Sequence, residues 1–412
     1  MKVIVLGAGV IGVTTAYFLA RAGHEVVVIE KNSEPGLGCS YANGGQLSYS
    51  HIETWASKSS FLSLIKAAFT PKSFLSFPDL RNKEFLRWLY QFFKNSSKKN
   101  SHKNSRKLFT LSHLSKEALK DILKTEENIQ FDYQNNGTLH FYRTKKNFEA
   151  AIKEAEFHES FGCKAKILTA QECVKKEPTL VKILDEGKLA GGIFYDMDAS
   201  GNSFLFTKAL AKICKDKYNV NFHYDTKITN ILTNFKKITG IKTEDEVLVA
   251  DKYVYACGAY GNSLLEGVRV DPMVYPLKGY SLSIDANDEY IAPKIALTDS
   301  ENRVVYSRIG NIFRAAGTVE ICGLGDNKND EHLKFLLKSI KSTFSEAGNI
   351  NKRTDWFGFR PFRPNSTPLI CQTKEYDNLF LNVGHGSLGW TLSAGSGKAM
   401  EELVTKGGEG WS

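Results

Sequence analysis

Residues 2–30 of the chain read KVIVLGAGVIGVTTAYFLARAGHEVVVIE. An apolar run of strand composition leads into a glycine turn and a helix-compatible stretch, and a second apolar strand then ends in Glu30. The turn has the spacing G-x-G-x-x-G, with its glycines at Gly7, Gly9 and Gly12. This order of strand, glycine turn, helix, strand and acid predicts a βαβ unit that binds a dinucleotide.

Each part of this unit has a physical role in holding phosphates. Gly7 permits the tight turn, Gly9 lets the backbone approach a pyrophosphate, and Gly12 lets the helix pack closely on the strand. The phosphates would lie at the helix N-terminus, where free N–H groups and the helix dipole favour an anion, and Glu30 would bind a ribose. The residues predicted for this part of the site are Gly7, Ala8, Gly9, Val10, Ile11, Gly12, Glu30 and Lys31.

Two other interpretations of the N-terminus are weaker. One is a glycine turn in an α/β domain without a dinucleotide. The other is a signal peptide or membrane span, because residues 3–20 carry no charge. The regular glycine spacing and the immediate return to a strand argue against the second interpretation.

Composition points to an ordinary soluble globular protein with a large core. The 412 residues are 42% hydrophobic and 24% charged, and their number predicts two domains. No later segment is long and apolar enough to span a bilayer. Seven scattered cysteines without C-x-x-C spacing predict neither a disulfide framework nor a metal site, and they favour the cytoplasm.

The formal net charge of +9 is partly local. Residues 94–107, KNSSKKNSHKNSRK, contain six basic side chains and no acid. Because aromatic residues are not interleaved, we interpret this run as a solvated loop or helix face rather than a nucleic-acid site, with contact to an anionic membrane surface as an alternative. Residues 61–93 carry apolar side chains at helical spacing, which predicts amphipathic helices packed on the core or a membrane-facing surface.

The C-terminal region repeats the order of strand, glycine loop and helix. The strand predicted at 379–383 is followed by GHGSLGWT, residues 384–391, and then by a helix up to residue 404. A second helix N-terminus would therefore point at a ligand. The apolar strand at 252–258, KYVYACG, would rejoin the first sheet.

Six stretches, taken in order and with their spacing, resemble the bacterial D-amino acid dehydrogenases of the FAD-dependent D-amino acid oxidase superfamily. The resemblance covers residues 1 to about 405, and the stretches at 275–282 and 384–391 are its most specific parts. The stretches are the glycine turn with Glu30, CSYANGGQ at 39–46, NGTL at 136–139, YPLKGYSL at 275–282, GFRP at 358–361 and GHGSLGWT at 384–391.

The resemblance implies a fold of class α/β + α+β with two parts. One is a glutathione-reductase-like FAD-binding Rossmann domain, and the other is a discontinuous substrate domain built on a large antiparallel sheet. We expect the FAD-binding domain at 1–50, 191–272 and 356–412, and the substrate domain at 51–190 and 273–355.

The resemblance also implies a reaction. The family oxidises D-amino acids to 2-oxo acids and ammonia by hydride transfer from the substrate Cα to FAD. It passes the electrons to a respiratory acceptor, a quinone or another chain component, at the inner face of the cytoplasmic membrane. FAD attachment is expected to be non-covalent, since only Cys39 closely adjoins a flavin loop.

The same resemblance assigns site residues. Arg360 matches the arginine that binds the substrate carboxylate, and a planar guanidinium fork suits that group. Beyond the ADP-binding turn, the expected FAD-binding residues are Ser40, Ala42, Asn43, Gly44, Gly45, Ile228, Cys257, Gly258, Gly384, Gly386, Ser387, Leu388, Gly389, Trp390 and Thr391.

Two further side chains are candidates for the reaction centre. The Tyr280 hydroxyl would donate to the same carboxylate, with plain packing as the alternative. His51 stands where the family has a tyrosine, which leaves the shape of the pocket open. Other arginines that compete with Arg360 for the carboxylate are Arg303, Arg308 and Arg314.

Three other functions remain open from the sequence. The nearest is another amine-oxidising flavoenzyme, acting on glycine, sarcosine, proline or hydroxyproline. The others are a nucleic-acid-modifying flavoprotein that uses the basic run, and a membrane-surface electron-transfer component without substrate chemistry of its own.

Overall fold

The computed structural model describes residues 1–51, 53–56, 82–127, 129–286, 290–325 and 327–411. The strands are β1 (Lys2–Leu6), β2 (Glu25–Ile29), β3 (Gln46–Leu47), β4 (Thr138–Tyr142), β5 (Lys166–Thr169), β6 (Gly191–Tyr195), β7 (Ala199–Ser200), β8 (Asn221–His223), β9 (Ile228–Asn234), β10 (Lys237–Thr243), β11 (Val247–Leu248), β12 (Lys252–Tyr255), β13 (Tyr275–Asp285), β14 (Ala296–Asp299), β15 (Val304–Ile309), β16 (Ile312–Glu320), β17 (Asn349–Phe362), β18 (Leu369–Gln372) and β19 (Leu379–Val383). The helices are α1 (Val10–Arg21), α2 (Lys83–Asn95), α3 (Lys98–Thr125), α4 (Lys145–Glu159), α5 (Ala170–Lys176), α6 (Val181–Asp185), α7 (Ser203–Tyr218), α8 (Asn262–Gly267), α9 (Asp330–Thr343) and α10 (Gly389–Lys406).

The first large sheet contains the N-terminal βαβ unit. Its order is β18-β19-β12-β1-β2-β8, and every neighbouring pair is parallel except β18 with β19. Strands buried on both faces need continuous apolar sequences, which β1 and β2 have. The chain leaves β1 for β2 on one side and later returns to β12 on the other. The glycine turn after β1 therefore lies at the point where the strand order reverses, the usual ligand position in such sheets.

The second large sheet has eight strands in the order β17-β13-β16-β15-β14-β4-β6-β5. Its neighbouring pairs are antiparallel with the exception of β14 and β4, which run parallel. The expected antiparallel sheet is thus a mixed one, because β4 and β14 belong to distant segments that enter the sheet in the same direction. Apolar residues of α9 cover one face of this sheet.

Two predicted domain boundaries do not match the sheets. β6 pairs with β4 and β5, so residues 191–195 belong to the eight-stranded sheet rather than to the dinucleotide-binding one. Residues 356–362 likewise belong to β17 of the eight-stranded sheet. The sequence predicts a strand at 191–196 but not its partners, and it predicts no strand at 356–362, since pairing depends on segments far apart in the chain.

Two helices account for the central basic region. Of the amphipathic segment predicted at 61–93, residues 61–81 lie outside the described residues. Residues 83–93 belong to α2. The basic run ends α2 and continues through a turn into the first part of α3, a long helix that packs against α10. In the parts of the chain that the structure describes, no helix combines the length and apolarity needed to cross a bilayer.

Candidate active site and cofactor cavity

A cavity of about 2050 Å³ is lined by residues of both large sheets. It is larger than the roughly 300–1,000 Å³ that is typical of a pocket for one small ligand. The cavity therefore has room for a dinucleotide together with a second small molecule. Its wall includes the glycine turn after β1, one face of the eight-stranded sheet and the loop before α10.

The N-terminal glycine turn forms one end of the cavity. Gly7 has a φ of +100°, which favours glycine, and a Cβ at Gly12 would lie 1.9 Å from the Gly7 carbonyl oxygen. The backbone N–H of Ala8 donates to Glu30 Oε2 over 2.7 Å, and the N–H of Val10 donates to the Ser40 hydroxyl over 3.0 Å. These bonds bring Glu30 and Ser40, which the chain separates, to the same helix end.

The residues of this end fit an FAD group. A Cβ at Gly9 would meet only Ser40 Oγ, at 3.8 Å, and a Cβ at Gly258 would meet no described atom within 4 Å. Both glycines therefore present their backbone to open cavity space. Helix α1 has no acidic residue in its first turn, and its N-cap residue, Gly9, has no side chain that could bind the free N–H groups. The helix dipole therefore favours a phosphate at this end.

The C-terminal glycine loop forms the opposite end. Trp390 lines the cavity, and its indole N–H is buried without a hydrogen-bond partner among the described residues. Helix α10 lacks an acidic first turn as well. The His385 ring turns away into the protein, where Nε2 lies 2.9 Å from the Ser396 hydroxyl, and burial lowers the pKa of His385 to about 3.

The loop at 39–46 crosses the cavity face of the eight-stranded sheet and is bonded to it at each step. The Ala42 carbonyl accepts from the Ser281 hydroxyl over 2.7 Å, and the Gly44 carbonyl accepts from the Ser307 hydroxyl over 2.8 Å. The Asn43 carbonyl accepts from Arg314 Nη1 over 3.1 Å. This explains why a sequence of small residues is needed here, since a Cβ at Gly44 would lie 2.6 Å from Val305 Cγ2.

Arg360, the predicted carboxylate-binding residue, lies on β17 and lines the cavity half-buried. Its Nη1 donates to the Thr318 carbonyl over 2.9 Å. Among the described residues, no carboxylate lies within ion-pairing distance of it. Burial lowers the pKa of Arg360, but a guanidinium keeps its charge at physiological pH. Of the three competing arginines, Arg303 lines the cavity, whereas Arg314 is used to hold the 39–46 loop.

The position of Tyr280 corrects the expectation for its hydroxyl. The hydroxyl donates to Glu320 Oε2 and accepts from the Asn329 N–H over 3.2 Å. The side chain is only 1% exposed and belongs to the apolar cluster under α9, on the face of β13 opposite Gly279 and Ser281. The hydroxyl is therefore not directed at a ligand near Arg360, because strand alternation places it behind the sheet.

His51 lies at a different part of the cavity wall from Arg360. Its ring centroid is 6.1 Å from that of His140 on β4, and four strands separate β4 from β17 in the sheet. The three residues predicted for the reaction centre are therefore not brought together. The Asp198 carboxylate holds the chain segments that carry the two histidines. It accepts from the N–H of Ser50, which precedes His51, over 2.8 Å, and from the hydroxyl of Thr138, on the same strand as His140, over 2.5 Å.

Sequence reasoning missed several wall residues. His140 Nε2 is buried without a partner among the described residues, and burial lowers the pKa of His140 to about 3, so the ring is neutral at pH 7. His140 follows the NGTL stretch directly, which was the available signal. Thr318 and Gly279 adjoin Arg360. Gly279 lies within the YPLKGYSL stretch, which was the available signal, whereas nothing in the sequence context of Thr318 marks it.

Most residues predicted for FAD lie on the cavity wall, and three pack behind it. Ala8, Gly12 and Gly384 are the three, and Gly384 packs against Arg363. The predicted residues on the wall are Gly7, Gly9, Val10, Ile11, Glu30, Lys31, Ser40, Ala42, Asn43, Gly44, Gly45, Ile228, Cys257, Gly258, Gly386, Ser387, Leu388, Gly389, Trp390 and Thr391. The roles assigned to them stay predictions.

Comparison with known proteins decides the family. The sequence profile of a family described as FAD dependent oxidoreductase (DAO) matches residues 2–403. The chain belongs to this family of FAD dependent oxidoreductases. FAD is accordingly its cofactor, and the resemblance found from the sequence is confirmed.

Relatives cover nearly the whole chain. A D-amino acid dehydrogenase of Granulibacter bethesdensis is 36% identical over 98% of this chain and 96% of its own length. A D-amino acid dehydrogenase of Paramagnetospirillum magneticum is 36% identical over 98% and 95%. Among solved structures, glycine oxidase from Bacillus cereus has a TM-score of 0.74 at 21% identity, covering 99% of this chain and 96% of that one. L-Proline dehydrogenase from P. horikoshii has a TM-score of 0.74 at 18% identity, covering 98% and 93%, so both share the fold.

Proposed function

We propose that this protein is a D-amino acid dehydrogenase, which oxidises D-amino acids to 2-oxo acids and ammonia. Relatives at 33–36% identity over almost their full length carry that name. In the structure, one observation carries the proposal, namely the Arg360 guanidinium, which faces the FAD cavity without a carboxylate partner among the described residues. A cation in this position is suited to the carboxylate of an amino acid.

Bound FAD supplies the hydride acceptor for the substrate Cα–H. The protein's part is to bind and orient the substrate. Arg360 has five N–H donors, of which one is used by the Thr318 carbonyl, so two parallel bonds to a carboxylate remain available. The first turn of α10 offers oriented N–H groups and no acidic side chain, which stabilises negative charge that develops on the cofactor.

The histidines of the cavity wall do not act as proton donors in this proposal. Burial keeps His140 neutral at pH 7, so its Nε2 accepts or donates a hydrogen bond to a ligand according to the tautomer, and the ring does not act as an acid. His51 lies beside it. We place the side chain of the substrate toward this pair, because the carboxylate is held at the other part of the wall by Arg360.

The electron acceptor is part of the proposal. We expect the electrons to pass to a respiratory acceptor, a quinone or another chain component, with the protein on the inner face of the cytoplasmic membrane. The dehydrogenase names of the relatives support this, as do Leu86 and Tyr90 of α2, which are 44% and 56% exposed beside the basic start of α3. Faster flavin reoxidation by a soluble quinone analogue than by dioxygen would support a respiratory acceptor, whereas the reverse order would exclude it.

Anaerobic mixing of the holoenzyme with single substrates tests the reaction itself. We expect D-amino acids to bleach the flavin absorbance and L-amino acids to leave it unchanged. Bleaching by glycine, sarcosine, L-proline or hydroxyproline alone would show another amine-oxidising flavoenzyme. The absence of bleaching by every D-amino acid would overturn the proposal.

Arg360→Leu tests the residue that carries the argument. We expect a loss of flavin reduction of at least about 100-fold with FAD still bound, because a bidentate charged contact is removed. Arg353→Ala is the matched control, since Arg353 is an exposed arginine of the same strand that pairs with Asp355. Equal rates in the two variants would show that another group binds the carboxylate.

A further inference from the structure

A bulge in β16 lies directly beside the Arg360 guanidinium. The register pairs Lys278 with Glu320 and Tyr280 with Gly317, so Thr318 and Val319 together face one residue of β13. Thr318 has a φ of +59°. A β-branched residue with positive φ is strained, and such residues persist only where the surroundings hold them.

The bulge sets two contacts of Arg360 on the cavity side. It turns the Thr318 carbonyl toward Nη1, which donates to it over 2.9 Å. The guanidinium also lies against Gly279, the residue opposite the bulge, where a Cβ would come 2.3 Å from Arg360 Cζ. The direction in which the guanidinium points therefore depends on the local shape of β13 and β16.

The other face of the sheet carries a buried polar cluster that connects the two strands across the bulge. Tyr280 on β13 donates to Glu320 on β16, on opposite sides of the bulge. Lys278 Nζ lies 3.8 Å from Glu320 Oε2 and donates to the Asn327 carbonyl over 2.8 Å. Lys278 and Tyr280 are each 1% exposed, and the bond between Tyr280 and Glu320 is buried.

The Lys278 ammonium also contacts β17, the strand that carries Arg360. It lies 5.0 Å from the ring centroid of Phe357 and 5.5 Å from that of Phe359. Both rings precede Arg360 in the sequence, by three residues and by one, and project to the opposite face. The cluster thereby contacts all three strands that determine where the guanidinium lies.

We infer that Tyr280, Glu320 and Lys278 are positioning residues, which hold the Thr318 bulge so that Arg360 is aimed at the substrate carboxylate. The inference rests on the proposed function through the role of Arg360. It gives Tyr280 a task different from direct substrate binding. The cluster keeps the register of β13 and β16 fixed at the bulge. Without it, the strained backbone of Thr318 would relax and the register would shift.

Tyr280→Phe and Tyr306→Phe form a matched pair of variants. Tyr306 lies on the same face of the same sheet, and its hydroxyl lies 2.5 Å from the Ser339 hydroxyl of α9, away from the bulge. Each change removes one buried hydroxyl at nearly constant volume. The Tyr280 hydroxyl has two partners, Glu320 and the Asn329 N–H, whereas the Tyr306 hydroxyl bonds to Ser339. Both variants are therefore expected to unfold at lowered temperatures, with the larger decrease in Tyr280→Phe, while only Tyr280→Phe affects Arg360.

Two measurements on the holoenzymes separate the roles. The first is the dissociation constant of benzoate, a carboxylate that cannot be oxidised, followed by the change in flavin absorbance. We expect Tyr280→Phe to raise it about tenfold, the loss expected for a loosened charge-assisted contact, and Tyr306→Phe to leave it unchanged. The second is anaerobic reduction by D-alanine, where Tyr280→Phe is expected to raise KM by a similar factor and to change kcat little.

The conservative change Glu320→Gln adds a rescue test. Its amide oxygen still accepts from the Tyr280 hydroxyl, so we expect benzoate to bind within about threefold of the wild type. Equal benzoate affinities in both tyrosine variants, or no benzoate binding in the wild type, would overturn the inference. If D-alanine fails to reduce the wild type while benzoate binding still separates the tyrosine variants, the proposed function fails and the positioning role stands.

Discussion

The Arg360 guanidinium lies against the backbone of Gly279, so closely that a Cβ there would come 2.3 Å from Arg360 Cζ. Gly279→Ala must therefore displace the guanidinium. Because a misplacement of about 1 Å at a reacting centre costs on the order of 100-fold, we expect kcat/KM for a D-amino acid to fall by about that factor. Steady-state kinetics of the purified holoenzyme measures this.

Gly267→Ala is the matched control for this substitution. Gly267 ends α8, and a Cβ there would meet no described atom within 4 Å. The control is expected to keep wild-type kinetics, and both variants should keep their FAD. Unchanged kcat/KM in Gly279→Ala would mean that the substrate carboxylate is bound by another group.

Neighbouring protein atoms leave no room for a side chain at Gly7 and Gly12, the first and last glycines of the N-terminal turn, whereas there is room for one at Gly9. A Cβ at Gly12 would lie 1.9 Å from the Gly7 carbonyl oxygen, but a Cβ at Gly9 would come no closer than 3.8 Å to a described atom. We therefore expect Gly9→Ala to fold normally and to lose FAD, since the added methyl group occupies space meant for the pyrophosphate.

Gly12→Ala is the comparison for this second prediction. It is expected to lower the thermal stability of the apoprotein, because helix α1 must move away from β1. Flavin content after purification and the unfolding temperature of the apoproteins distinguish the two effects. A Gly9→Ala variant with full flavin content would contradict the assignment of this turn to the cofactor.

The sequence predicted those parts of the fold and site that depend on local patterns. The βαβ unit and the glycine loop before α10 follow from glycine spacing, apolar runs and the positions of charges. The FAD family assignment was predicted from these stretches together with their order, and it is confirmed by the family match.

Features that depend on strand pairing were not predictable. β13 is buried along nearly its whole length, so its sequence does not show which face meets the cavity. Its sequence therefore left two roles open for Tyr280, a bond to the carboxylate or packing, and did not indicate the bond to Glu320. The apolar run at 191–195 is typical of a strand, but nothing in it shows that the strand pairs with β4. The positive φ of Thr318 results from a bulge between distant segments, which no propensity of threonine indicates.

Two buried histidines predict how stability depends on pH. Burial lowers the pKa values of His140 and His385 from the ordinary 6.5 to about 3. Between these values the unfolded chain binds protons that the folded chain does not, so stability is lost as the pH falls from 6.5 toward 3, and none is lost above 6.5.

Each histidine should then cost about 2 kcal/mol of unfolding free energy between pH 7 and pH 5. Urea titrations at the two pH values measure the change. His385→Gln is expected to lose the part of the pH-dependent difference that His385 contributes, about 2 kcal/mol, whatever its effect on stability at pH 7. A pH difference that this variant retains in full would show that the His385 ring is protonated in the folded protein at pH 5.

The His51 ring lies beside that of His140 and not beside Arg360. Four strands separate β4, which carries His140, from β17, which carries Arg360. A substrate held by its carboxylate at Arg360 would direct its side chain toward this histidine pair. We therefore expect His51→Asn to change the choice of substrate more than the reaction itself. For D-alanine, kcat/KM should change less than about threefold, because a methyl side chain does not reach the pair.

For D-amino acids with long polar side chains, we expect kcat/KM in His51→Asn to change about tenfold, the effect of one altered hydrogen bond to a ligand. A panel that includes D-alanine, D-methionine, D-glutamine and D-arginine measures both effects in one experiment. His51→Gln serves as the longer isostere, which keeps a polar group closer to the position of the ring. If His51→Asn loses D-alanine oxidation as severely as Arg360→Leu does, then His51 contacts the reacting part of the substrate. His51 would then belong to the reaction centre, as the sequence predicted.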